Sequence, residues 1–152
     1  MADIIHRIGI KAPVAKVFNA LTSVAGVAGW WTEETTGSAE LGGVLTFTFK
    51  ADDGSIKGKM VATVQTLEAN RRVQWHLTDG PPDWIDTDLV FDLKQEGEHT
   101  IIQFAHKNWK EATESTAHCS MKWATFLLSL RALVETGKGS PAPHDLKIDN
   151  WN

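Results

Sequence analysis

Between Leu45 and His106 the apolar residues of this chain recur at every second position, and from about Ser115 to Thr136 they recur with the 3.6-residue period of an α-helix. That change of period restricts the fold more than any other feature of the sequence. Leu45, Phe47 and Phe49 alternate with Thr46, Thr48 and Lys50, Met60, Ala62 and Val64 share one face within residues 56–67, and Val73, Trp75 and Leu77 follow. Ile85, Thr87, Leu89, Phe91 and Leu93 then alternate with Asp86, Asp88, Val90 and Asp92, and Thr100, Ile102, Phe104 and His106 form one face of a last strand. Turn-forming residues separate these segments: Asp52-Asp53-Gly54-Ser55, residues 68–71, Asp79-Gly80-Pro81-Pro82-Asp83 and residues 95–98. Strands that follow one another without an intervening helix pair as an antiparallel meander, and one face of that sheet must be covered. Only the long helix is large enough to cover it. Trp123, Leu127, Leu130 and Val134 make its stripe, Phe126 and Leu133 lie beside it, and Gly137 stops it.

The N-terminal part adds a strand over residues 3–10, imperfectly alternating through Ile4, Ile8 and Ile10. Pro13 suits the first turn of a helix carrying Val14, Val17, Phe18 and Leu21, and Thr22-Ser23 caps a second short helix over residues 24–28. The expected architecture is α+β, a curved antiparallel sheet of about six to seven strands around a long C-terminal helix, with two short helices after the first strand.

Several function classes lose support on composition and spacing. The net charge of −4 supplies no field toward nucleic acid or anionic lipid, and no apolar run approaches the roughly 20 residues of a membrane span. The single cysteine, Cys119, forms no intrachain disulfide, so a soluble cytoplasmic protein is expected. None of the six histidines has the i, i+4 spacing of a helical metal site, and the glycines form no phosphate-binding loop, so neither a metal nor a cofactor is expected. Asp86, Asp88 and Asp92 read as the solvated convex face of the sheet.

Four stretches, in this order and spacing, carry a resemblance: residues 13–22 (PVAKVFNALT), Gly29-Trp30-Trp31 with Leu41-Gly42-Gly43, Gln74-Trp75-His76, and residues 123–131 (WATFLLSLR). With Ile102-Gln103-Phe104-Ala105-His106 they resemble the START-like, helix-grip (SRPBCC) superfamily over residues 3 to about 138. Within it they look closest to the branch of homologues of the activator of the heat-shock-protein-ninety ATPase. The resemblance implies a helix-grip domain over residues 1–138, a tail over 139–152, and a cavity between sheet and helix that takes an apolar small molecule.

Seven Trp, six Phe and no Tyr are the residues that would line such a cavity or fill it, and both readings stand. The candidate ligand-binding positions are Trp30, Phe47, Phe49, Trp75, Phe91, Phe104, His106 and Trp109 from the sheet and its loops, and His118, Met121, Trp123 and Leu127 from the helix. Three functions follow: a carrier or sensor of a small apolar or aromatic molecule; a cyclase- or dehydratase-type enzyme with His106 or His118 as acid/base; and a protein-interaction or co-chaperone-like module using Trp30-Trp31, Trp84 and Trp109. A homodimer is compatible with all three.

Overall fold

The inward residues of the alternating segments are the ones the computed structural model, which describes residues 1–152, buries: Leu45, Phe47, Val73, Trp75, Leu77, Leu89, Phe91, Ile102 and Phe104 all lie within the core. They belong to seven strands and three helices in the order β1 (Ala2–Ile10), α1 (Val14–Leu21), α2 (Val24–Trp30), β2 (Glu34–Gly37), β3 (Val44–Lys50), β4 (Ile56–Glu68), β5 (Arg72–Asp79), β6 (Asp88–Glu96), β7 (His99–Trp109) and α3 (Glu114–Thr136). The strands form one antiparallel sheet in the order β1-β7-β6-β5-β4-β3-β2. After β1 the chain crosses through α1 and α2 to the far edge, then returns strand by strand until β7 pairs with β1. Bulges at Lys57 and Gln65 of β4 and at Thr78 of β5 break the register and curve the sheet around α3.

Local chemistry sets the helix ends. Pro13 precedes α1, whose Val14 N–H donates to Gln95 Oε1 at 2.8 Å. Ser23 Oγ accepts from Gly26 N–H at 3.0 Å at the start of α2. Thr116 Oγ1 accepts from Thr113 N–H at 3.0 Å at the start of α3, and Gly137 ends it with φ 87°. The buried stripe of α3 is Trp123, Phe126, Leu127, Leu130 and Val134. No helix is long and apolar enough to cross a membrane.

Four details differ from the sequence reading. A strand was not expected over Glu34–Gly37, where Thr35 alone turns inward. Helix α2 runs through Trp30, beyond the expected residue 28. The strand expected from Ile85 starts instead at Asp88. Asp86 has φ 66°, its N–H donates to Leu77 O, and Leu77 N–H donates to Thr87 O, so residues 80–87 close as a loop across the end of β5. Asp88 is also not simply solvated: it bonds His76 Nδ1 at 2.9 Å and accepts from Asn108 Nδ2 at 2.8 Å.

The segment after α3 returns to the body. Ser140 N–H donates to Ser129 Oγ at 2.7 Å, Ala142 N–H to Trp31 O at 2.8 Å, and Glu33 N–H to Ala142 O at 3.0 Å. Gly139 allows this close approach, because a Cβ there would stand 2.4 Å from Gly29 O and 2.9 Å from Ser129 O.

Candidate functional site

A cavity of about 340 Å³ opens where four pieces of the chain meet: the end of the β3–β4 hairpin, the 80–87 loop, the first half of α3 and the C-terminal segment. Its size lies at the low end of the roughly 300–1,000 Å³ usual for small-molecule sites. The apolar walls are Trp31, Phe49, Met60, Pro81, Trp84, Trp123, Phe126 and Ala142. Opposite Phe49 in the register stands Gly58, and a Cβ built on it meets nothing within 4 Å, so the absent side chain leaves that side open.

The aromatic walls are braced from behind. Trp31 packs on Phe47 at 4.4 Å between ring centroids, on Trp123 at 5.0 Å and on Phe49 at 5.6 Å. Trp84 stacks on Trp123 at 6.1 Å. A buried polar relay fixes the Trp84 and Trp123 positions. An indole N–H only donates, so Trp123 Nε1, 3.1 Å from His106 Nδ1, makes that nitrogen the acceptor. The proton of the neutral ring is then on Nε2, which donates to Thr87 Oγ1 at 2.8 Å, and the Thr87 hydroxyl donates to Trp84 O at 2.5 Å. His106 is fully buried, and that burial pushes its pKa down to about 3, against a small opposing pull from Asp88, so the ring stays neutral at physiological pH.

The mouth is polar and mostly cationic. Lys50, Lys57 and Lys122 face one lining side-chain carboxylate, that of Asp145. Burial acts to raise the Asp145 carboxyl pKa, but hydrogen bonds from Lys122 and Lys147 outweigh it and hold the pKa below the usual value. Lys122 also donates to Leu146 O at 2.8 Å and lies 5.0 Å from the Phe126 ring centroid. His118 bonds Asp149 through Nδ1 at 2.7 Å and packs against Trp151. The His118 hydrogen bond, followed by the Trp151 backbone N–H, lowers the Asp149 pKa. Cys119 lines the wall, and burial raises its thiol pKa to about 11, which keeps it protonated and weakly nucleophilic.

Of the twelve positions expected at the ligand, the structure brings Phe49, His118 and Trp123 to the cavity. Trp30, Phe47, Trp75, Phe91, Phe104, His106, Trp109 and Leu127 instead pack in the core behind it, and Met121 is 56% exposed. His106 and His118 share no hydrogen bond: the first belongs to the relay, the second to the tail. Trp30, Trp31, Trp84 and Trp109 are all buried, which removes the exposed aromatic patch expected of them. What sequence reasoning missed is Trp31, Met60 and Phe126 as wall residues and the lysines of the mouth. One helical signal was available, since Ser115, Cys119, Lys122, Trp123 and Phe126 fall at i, i+4, i+7, i+8 and i+11 on one face of α3.

Comparison with known proteins agrees with this architecture. The chain is similar to Aha1 from Colwellia psychrerythraea, solved in solution as a dimer, with 38% identity, a TM-score of 0.79, and coverage of 91% of this chain and 100% of that one. It shares its fold with an AHSA1-like protein from Aeromonas hydrophila (18% identity, TM-score 0.73, 90% and 94% covered). It also shares it with a protein from Staphylococcus saprophyticus (16% identity, TM-score 0.73, 93% and 98% covered). No curated protein matches the sequence. Residues 11–135 match the family described as "Activator of Hsp90 ATPase homolog 1-like protein", and the chain belongs to that family.

Proposed function

We propose that this protein binds a small apolar or aromatic molecule in the cavity between the β3–β4 hairpin, α3 and the C-terminal segment, as a carrier or sensor. The observation that carries this reading is an open volume of about 340 Å³ walled by Trp31, Phe49, Trp84, Trp123 and Phe126, with Trp30, Trp75, Trp109, Phe47, Phe91 and Phe104 packed in the core behind it. Four lining residues are Trp (Trp31, Trp84, Trp123 and Trp151), so titration with naphthalene- or flavone-type compounds is expected to shift indole emission and raise the melting temperature as ligand concentration rises. Unchanged emission and melting across such a panel would refute it. The lone free thiol of Cys119 fits work in a reducing compartment such as the cytoplasm.

A second reading concerns assembly. The Colwellia relative is a dimer, and this chain exposes Ile5, Leu41, Val44 and Ile56 on its strands and on the turn before β3. We infer a homodimer, compatible with ligand binding. Light scattering after size exclusion tests it, and a monomer mass at 100 μM would rule it out.

A further inference from the structure

We propose that the ligand of this cavity is an anion: an apolar or aromatic body carrying a carboxylate, which Lys57 receives at the mouth. This deepens the ligand-binding reading above and rests on it.

The first observation is a β-bulge. Phe49 pairs with Gly58 and Lys50 with Ile56, so Lys57 is the extra residue with no partner across β3, and its side chain lines the mouth. A bulge re-aims a side chain out of the strand's alternation. The second observation is the state of the neighbouring cations. Lys50 is held by Glu34 at 3.1 Å, Lys122 by Asp145 and Leu146 O, and Lys147 by Asp145 at 3.0 Å and Pro143 O at 2.9 Å. Lys57 alone among them makes no ion pair and no hydrogen bond.

The electrostatics point the same way. Lys57 is exposed, yet the desolvation it does suffer at the mouth is the largest influence lowering its pKa, Lys147 and Lys122 add repulsion, and Asp145 and Asp52 offset only part of it. An incoming anion relieves that repulsion, so the mouth of a protein with net charge −4 selects negative charge locally. One unpaired ammonium is a single point charge, which matches a monoanionic carboxylate. Beside it, the open side at Gly58 and the Phe49 ring admit the apolar body.

The test uses one body with three charges: 2-naphthoate, 2-naphthalenemethanol and 2-naphthylmethylammonium, each titrated calorimetrically at pH 7 in 50 mM salt. The naphthoate is expected to bind about tenfold more tightly than the alcohol, a difference of ~1.4 kcal/mol, with the ammonium weakest. Lys57→Gln is expected to bring the naphthoate-to-alcohol affinity ratio from about ten to about one, while Lys57→Arg keeps the preference. Equal binding of naphthoate and alcohol to the native protein overturns the proposal while leaving the ligand-binding reading intact. A Lys57→Gln loss that falls equally on both compounds does the same. Silence from all three compounds removes the ligand-binding reading and this proposal with it.

Discussion

Replacing His106 with glutamine tests whether the buried relay behind the cavity is neutral and structural. Glutamine offers an acceptor for Trp123 Nε1 and a donor for Thr87 Oγ1 but carries no charge at any pH. His106 has a folded pKa of about 3, pushed down by burial, against an ordinary value of 6.5. The sign follows from proton binding. Below 6.5 the unfolded chain takes up a proton at this ring and the folded protein does not, so stability falls as pH falls, from about 6.5 until the ring also titrates in the folded state near 3. At 1.36 kcal/mol per pH unit, the native protein loses roughly 2 kcal/mol between pH 7.5 and 5 through this one residue. Denaturant unfolding of native and His106→Gln proteins at both pH values isolates the contribution, since the other titrating groups are common to both and cancel in the difference. The native protein is expected to lose about 2 kcal/mol more than the variant. Parallel pH profiles would show that His106 is not held neutral by burial and would refute the relay as assigned. His106→Leu provides the contrast. It leaves the Trp123 N–H without a partner in the core and is expected to cost about 1–3 kcal/mol even at pH 7.5.

Two further outcomes follow from the cavity walls. Raising the Cys119 thiol pKa from 9.0 to about 11 lowers the thiolate fraction about 100-fold, so iodoacetamide at pH 8 should alkylate the folded protein at least that much more slowly than the urea-unfolded chain, as read by mass spectrometry. A ratio under tenfold would contradict the burial argument. Asp145→Asn should destabilise the protein by about 2–4 kcal/mol, because it leaves Lys122, whose side chain is only 13% exposed, without its carboxylate. Lys122→Met combined with Asp145→Leu should recover most of that loss, and a double variant as unstable as the single would count against the ion pair as its source.

The parts of the fold legible in the sequence are those whose signal repeats within an element. Leu45 and Phe47 announce β3 because every second residue of a sheet faces the same way, and Trp123, Leu127 and Leu130 announce α3 for the corresponding reason. Glu34–Gly37 announces nothing, since an edge strand of four residues with only Thr35 inward has no period to read. Ile85 and Thr87 continue the alternation of β6 on paper, yet the loop bonds of Asp86 and Thr87 take them out of the strand. Met121 is a helix candidate in the sequence, but residues two apart on a helix are about 200° apart around its axis, and with Trp123 inward Met121 is 56% exposed. The mouth was the least legible part. It brings together Lys57 from a bulge, Lys122 from α3 and Asp145 from the tail, and no local pattern connects the three.

The filled core and the open cavity were alternatives at the level of sequence, and the structure makes the first a condition of the second. Six of the seven tryptophans belong to the buried cluster, and three of them, Trp31, Trp84 and Trp123, also face the cavity. Each of the three is held by something other than a ligand: Trp31 by Phe47 and the Ala142 bridge, Trp123 by His106, and Trp84 by Thr87 and the Trp123 ring. Because these rings are packed on one side, they cannot collapse into the space on the other, and the cavity persists without occupation. Under the proposed ligand-binding role, binding would order little of the wall, and the affinity saved by that preorganisation would go to whatever distinguishes one ligand from another. In that role, rigid aromatic walls would leave discrimination to the mouth, which would put selectivity on the unpaired Lys57 and leave the indole rings to supply area.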